Sequence, residues 1–215
     1  MNFDRLAPHF HWMERICGGG LLQRARICWL EELKNCRQIL SAGEGHGRFA
    51  KACTARIPEA ELTCIEASGP MIAAAKKHLG HTDSNVRWHH SELLRWPTSD
   101  KFDAIVTCFF LDCFPPEELA AIVEKLADCA KPDAVWIVVD FALPAQGPAR
   151  WRAKFVHVLM YAFFRRVAGL PARQLTVPDT MLRAQYFQLV GRREYNRGLL
   201  RADLWQRKPL DCLGS

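Results

Sequence analysis

The chain has 215 residues, 49% of them hydrophobic and 24% charged, with a formal charge of +6. That length suits one α/β domain with a sizeable core, and the composition excludes a disordered or fibrous chain. There is no run of eighteen apolar residues and no secretory leader, and nine cysteines in an odd count without a CxxC pair read as reduced thiols of a cytoplasmic protein.

A helical stretch is predicted over 12–33, ahead of an alternating series. Strand one is Gln38–Ala42, followed by a helix at Arg48–Arg56. Strand two, Glu61–Glu66, leads to a helix over 70–79, where Pro70 suits the first turn. Strands three and four are Val86–His90 and Phe102–Cys108. A helix over 116–130 opens with Pro-Glu-Glu, an acidic first turn. Strand five, 134–140, is almost wholly apolar, as a strand covered on both faces should be. This alternation predicts a doubly wound, Rossmann-like α/β sheet with helices on both faces.

Residues 144 to 147 break the pattern, and a strongly apolar, aromatic helix follows over 149–167. A further helix over 179–189 leads to two strands, 192–196 and 199–206, joined by Arg197-Gly198. That tight link predicts a C-terminal antiparallel hairpin, which brings the sheet to seven strands. The chain thus divides into N-terminal cap helices over 1–35, a main domain over 36–206 with a helical insertion or lid at 144–180, and a tail over 207–215.

Residues 39–47, Ile-Leu-Ser-Ala-Gly-Glu-Gly-His-Gly, set three glycines at alternate positions between strand one and its helix. Glycines there let a ligand approach backbone that side chains would otherwise shield. Several nucleotide-binding folds share the feature. Glu66 ends strand two, 23 residues after Gly43, where an acid can accept from both hydroxyls of a ribose.

Taken with the five parallel strands and the closing hairpin, these motifs resemble the class I S-adenosylmethionine-dependent methyltransferases over about residues 36–206, in their quinone and small-molecule branch. The resemblance implies S-adenosyl-L-methionine as cofactor, with Ala42, Gly43, Glu44, Gly45 and Gly47 around its methionine part and Glu66 at its ribose. Ala67-Ser68-Gly-Pro-Met71 looks like the usual continuation, with Met71 packed on the adenine. Ser91-Glu92-Leu93 stands where the family commonly has Gly-Asp-Ala. Glu92 would then accept from the adenine amino group, and the backbone of Leu93 would face the ring. The run from Phe102 through Cys108 to Leu111 is similar to the family's strand four and the loop beneath the methyl donor. The opening, Phe3-Asp-Arg-Leu-Ala-Pro-His-Phe10, is similar to a Phe-Asp-x-Ile-Ala-x-x-Tyr start whose aromatic closes over the cofactor, a role that would fall to Phe10. An ordinary amphipathic lead-in helix is the other reading of that segment.

Two departures stand out. The family usually carries an acid in strand one where this chain has Ser41; Glu44 either substitutes for it or points to solvent. The glycine spacing, with Arg48 after Gly47, and the C-terminal hairpin point away from a dinucleotide-dependent dehydrogenase.

Candidate catalytic groups follow from position. Asp112, within Phe109-Phe-Leu-Asp-Cys-Phe114 after strand four, is either a general base or a cap for the turn before Pro115-Pro116. Asp140 ends strand five at the ligand-binding edge of the sheet, with Arg150 or Arg152 as alternative ion-pair partners. The helix near 151–166 is apolar at its centre except for His157 and Tyr161. It reads as a lid over a hydrophobic pocket, a buried helix, a dimer surface or a shallow membrane-surface helix. His9 and His11, with Trp12 and Glu14, would face the substrate if the N-terminal helix caps the site. His9 and His11 lack further close ligands, so no metal is expected. The expected activity is methyl transfer to a small, apolar or aromatic acceptor. A nucleic-acid methyltransferase is the alternative, disfavoured because strand four lacks Asn/Asp-Pro-Pro-Tyr/Phe and the arginines are scattered. A non-catalytic S-adenosylmethionine-binding protein is another. The expected partner is the small molecule, with no nucleic acid; a homodimer and a transient membrane-surface contact stay open.

Overall fold

The computed structural model describes residues 19–80, 84–169, 172 and 174–208. Seven strands form: β1 (Gln38–Ala42), β2 (Glu61–Glu66), β3 (Val86–His90), β4 (Phe102–Cys108), β5 (Ala130–Phe141), β6 (Phe187–Tyr195) and β7 (Leu200–Arg207). The helices are α1 (Gly19–Ile27), α2 (Arg48–Arg56), α3 (Gly69–Leu79), α4 (Pro116–Asp128), α5 (Pro148–Ala168) and α6 (Asp179–Ala184). The strands lie in one sheet in the order β3-β2-β1-β4-β5-β7-β6. The first five are parallel, and β7 runs antiparallel to both its neighbours. The expected doubly wound sheet with its closing hairpin is therefore present.

Alternation along each strand sends successive side chains to opposite faces. Leu40, Ile105, Trp136 and Val138 meet α4 through Leu119, Ile122 and Leu126, and α6 through Leu182. Ile39, Ala104, Val106, Ile137 and Val139 meet α1 through Ala25 and α2 through Phe49, Ala50 and Cys53. Because both faces are covered, the central strands are apolar at nearly every position. The buried indole of Trp136 keeps its hydrogen bond by donating Nε1–H to Thr107 Oγ1 at 3.1 Å.

The chain winds from β1 outward to β3, then returns to place β4 on the other side of β1. That reversal opens a crevice at the carboxyl ends of β1 and β4, the usual ligand position in such sheets. It brings the glycine loop after β1 beside the aromatic loop after β4.

Several boundaries differ from expectation, each for a tertiary reason. The stretch predicted over 12–33 turns at Cys28-Trp29, and its part before Gly19 lies outside the described residues. Trp29 is pinned to the hairpin: its Nε1–H donates to Ala202 O at 3.1 Å, and Arg193 lies 4.2 Å over its ring. A Cβ on Gly191 would come within 2.5 Å of that indole, so β6 needs glycine there. The helix expected to reach 130 stops at Asp128, because Phe102 N–H takes the Cys129 carbonyl at 2.8 Å and Ala130 already pairs with Phe102. The register then shifts between Phe102 and Ala104, which absorbs Pro132. The helix expected over 179–189 ends at Ala184. Tyr186 adopts φ 65°, and Phe187 turns inward to sit edge-on to Trp136 at 5.3 Å, starting β6 five residues early. The hairpin loop is four residues rather than two, with Asn196, Arg197 and Gly198 all at positive φ.

Candidate active site

The glycine loop is shaped by its neighbours. Gly43 N–H donates to Ile65 O at 2.8 Å, tying the loop to the end of β2. At φ 69°, with the Phe110 ring 2.2 Å from where a Cβ would stand, position 43 admits no side chain. Gly47, at φ 73°, lets α2 start against α3, where a Cβ would meet Leu79 at 2.7 Å and Ala75 at 2.9 Å. At Gly45 the same construction meets nothing within 4 Å. The loop is thus packed at both ends and open in the middle, a cradle into which ligand can approach.

Two carboxylates govern this loop, one from outside and one from beneath. Glu66, buried at the end of β2, accepts from Gly45 N–H at 2.9 Å and from Ser68 N–H at 2.9 Å. Burial raises its pKa, and those two backbone donors pull the other way. Glu44 turns inward, not to solvent. Its Oε2 accepts from the Ser41 hydroxyl at 2.5 Å and its Oε1 from Ala50 N–H in the first turn of α2 at 2.8 Å. Burial pushes its pKa up to about 7, opposed by the bonds from Ser41 and Ala50. The Glu44 carboxylate thus reaches the Ser41 position of β1 from within the loop, three residues on.

Met71 is buried in the first turn of α3, which Ser68 caps by accepting from Met71 N–H at 3.4 Å. Ala67 is exposed beside it. Leu93 is buried, while Glu92 is exposed and pairs with Arg95 at 3.2 Å. These four residues lie along the carboxyl ends of β2 and β3, on the far side of Glu66 from the glycine loop. Cys108 ends β4; burial lifts its thiol pKa far up, so it stays protonated among Arg26, Glu44 and Asp140.

Beyond β4, the chain turns at Phe109 (φ 55°) into a short 3-10 helix, Leu111–Cys113. Asp112 is buried there and caps no turn before Pro115: α4 starts without a side-chain cap. Asp140 is buried at the end of β5 and accepts from Phe110 N–H at 3.1 Å through Oδ1. It pairs with neither Arg150, which donates to Pro144 O and Ala145 O, nor Arg152, which donates to Asn196. Its Oδ2 is buried and meets no donor among the described residues. Burial raises Asp112 to about 6. Burial and then the negative charge of Asp112 raise Asp140 well above the carboxylate range. Two neighbouring buried carboxyls of this kind resist double ionisation.

The inner face of α5 closes over this pair. Ala153, His157 and Tyr161, spaced four apart, are its buried positions among the described residues. Tyr161 O–H donates to the backbone carbonyl of Asp112 at 2.9 Å. His157 stands edge-on to Phe141 at 6.0 Å and to Tyr161 at 6.4 Å. Burial lowers its pKa to about 4, so the ring is neutral at pH 7, and its Nε2 is buried without a partner among the described residues. The fold thus brings together Asp112, Asp140, His157 and Tyr161; Phe10 and His11 lie outside the described residues. Among the described residues no cluster of three or more His, Cys, Asp or Glu could hold a metal.

Comparison with known proteins fits this layout. Residues 39–133 match the family described as a methyltransferase domain. That match covers 95 of the 215 residues and supports a class I methyltransferase domain over this segment. Among curated relatives of this family, a demethylmenaquinone methyltransferase of Thermus thermophilus is 28% identical over 148 residues, 67% of this chain and 66% of that protein. The ubiquinone/menaquinone biosynthesis C-methyltransferase UbiE of Syntrophotalea carbinolica is 25% identical over 145 residues, 66% of this chain. The match spans 60% of that relative's own length. Among solved structures, the 1,6-didemethyltoxoflavin-N1-methyltransferase of Burkholderia thailandensis, with 1,6-didemethyltoxoflavin and S-adenosylhomocysteine bound, superposes with a TM-score of 0.67. It is 16% identical, and the alignment covers 95% of this chain and 88% of that one, which establishes the fold.

Two residues of the site were not singled out from the sequence. Phe110 seals the far wall of the glycine loop at Gly43, and Arg26 of α1 lies 4.9 Å over Phe109 and faces Glu44 and Cys108. The Phe109-Phe110 run offered a signal for the first. Nothing local offered one for Arg26, which reaches the site only through the packing of α1.

Proposed function

We propose that this protein is an S-adenosylmethionine-dependent methyltransferase acting on a small, apolar or aromatic acceptor. The observation that carries the reading is the open glycine cradle beside the buried Glu66 carboxylate, linked to Asp140 through Phe110, whose ring packs on Gly43 and whose N–H donates to Asp140 Oδ1. When bound, the cofactor supplies an electrophilic methyl group on sulfur. The loop from Gly43 to Gly47 would hold its methionine end, Glu66 its ribose hydroxyls, and Met71, Glu92 and Leu93 its adenine.

The rest is work for this chain's own residues. On the inner face of α5, His157 stands edge-on to Tyr161 and to Phe141 of β5, an aromatic wall that would keep water from the crevice. The acceptor's proton would pass to the Asp112–Asp140 pair, with neutral His157 as a second acceptor of hydrogen bonds. Relatives that act on quinone precursors, and a structural neighbour that holds 1,6-didemethyltoxoflavin, support a flat, largely apolar acceptor. The described cysteines are free thiols, which suits a reducing cytoplasm.

Calorimetric titration with S-adenosylmethionine tests it directly. Binding in the micromolar range is expected, and Glu66→Ala should weaken it by about 1–3 kcal/mol through lost charge-assisted hydrogen bonds. Absence of binding at millimolar cofactor would sink the reading, and unchanged affinity in the variant would move the ribose site elsewhere.

A further inference from the structure

The outer face of α5 has a composition that the methyl-transfer site does not explain. Its centre is the stripe Trp151, Phe155, Val158 and Ala162, on the side opposite Ala153, His157 and Tyr161. Trp151 is 74% exposed, Phe155 65% and Val158 66%, and Leu159 beside them is 55% exposed, so this is a coherent apolar face and not scattered residues. Helical geometry sets Lys154 and Arg165 along one border of the stripe and Arg166 along the other. Lys154 leans over the Trp151 ring at 5.3 Å. None of the three makes an ion pair with a described residue.

Charge is distributed along the chain in the same sense. Residues 141–178 hold six of the 29 Lys and Arg and none of the 23 Asp and Glu. The remainder of the chain is balanced, 23 cations against 23 acids, so the whole formal charge of +6 sits on α5 and the segments flanking it. An acid-free helix with exposed aromatic and aliphatic residues along its middle and cations on its borders complements a surface that is apolar within and anionic at its rim. A bilayer carrying acidic headgroups is such a surface. A nucleic acid would match the cations and leave the apolar stripe uncovered. A second copy would bring the same cations against themselves. No described helix is long and apolar enough to cross a membrane, so the contact lies in the plane of the interface.

We propose that the outer face of α5 docks the protein on the surface of an anionic lipid bilayer. Docking itself stands apart from the methyl-transfer reading; only its use, delivery of an apolar acceptor from the bilayer to the inner face of the same helix, rests on that reading.

The test is co-sedimentation of the full chain with vesicles of phosphatidylcholine containing phosphatidylglycerol, against phosphatidylcholine alone. Partition is expected to depend on phosphatidylglycerol and to fall with added salt. Arg165→Gln with Arg166→Gln should lower it roughly 25-fold, at about fivefold for each cation near the surface. Phe155→Glu should abolish it, and the blue shift of tryptophan emission on vesicle addition should be lost in Trp151→Phe. No sedimentation with the anionic vesicles, or sedimentation indifferent to Phe155→Glu, overturns the proposal. So does a dimer that Phe155→Glu converts to monomer while vesicles do not bind, or retention by an oligonucleotide in place of vesicles. Cofactor calorimetry on the same variants should be unchanged, which keeps failure of docking distinct from failure of the cofactor site.

Discussion

Glu44 shows how one residue's surroundings can replace a motif. Its carboxylate braces the glycine loop from below by joining Ser41 in β1 to the first turn of α2. Sequence alone left its direction open, because a loop glutamate between two glycines is free to point either way; the choice is made by Ser41, whose short side chain leaves room for it. The brace has a thermodynamic signature. With its folded pKa raised to about 7 from the ordinary 4.5, the folded chain binds more protons than the unfolded one between those values. This group's contribution to stability is therefore fully present below pH 4.5 and is lost as pH rises toward 7. Glu44→Gln keeps the hydrogen-bonding shape and removes the titration. Urea midpoints at pH 5 and pH 8 should converge in the variant relative to the wild type; an unchanged difference would show that Glu44 does not titrate in this window.

At the scale of elements, the decisive pieces are the turn after β4 and the inner face of α5. Their meeting was only half legible. The position of Asp112 after strand four and of Asp140 at the end of strand five could be read from the alternation of elements, since both follow from the carboxyl edge of a parallel sheet. The Tyr161 bond to the Asp112 carbonyl could not, because it joins residues 49 apart through a helix whose docking has no sequence period to announce it. The early start of β5 and β6 escaped for a related reason. Cys129-Ala130 and Phe187 become strand only because Phe102 and Trp136 stand beside them. The raised pKa of Asp112, about 6, gives the proton-transfer role a direction in pH. A base works in its ionised form, so kcat/KM should rise with pH through about 6 and level off above it. Asp112→Asn should retain cofactor affinity, lower kcat by about 10²–10⁴ and remove the rise. Full turnover in that variant would reduce Asp112 to a structural acid of the turn.

The whole molecule separates the site from the part of the sheet that stabilises its edge. The glycine loop hangs between β1 and β2, whereas β7 and β6 lie on the other side of β4 and β5. That outer edge is held by an ionic knot that only the fold reveals, since its members stand on three elements, α6, β6 and β7, whose pairing register brings them together. Asp203, fully buried on β7, accepts from Arg192 Nε and Nη2 at 2.8 and 2.9 Å, and Arg201 Nε lies 2.8 Å from its other side. Both arginines also reach Asp179 at the start of α6, so the knot fixes α6 and the hairpin together. Removing one partner of such a buried set leaves charge uncompensated in the interior, at a cost of about 3–5 kcal/mol. Asp203→Ala should therefore lower the unfolding free energy by that order, read from urea denaturation. Under conditions where the variant stays folded, its affinity for S-adenosylmethionine should match the wild type, because β5 and β4 intervene between the knot and the cradle. A parallel loss of affinity would mean that the hairpin shapes the cofactor site through Arg201 and Asp140, and that edge and crevice are one unit.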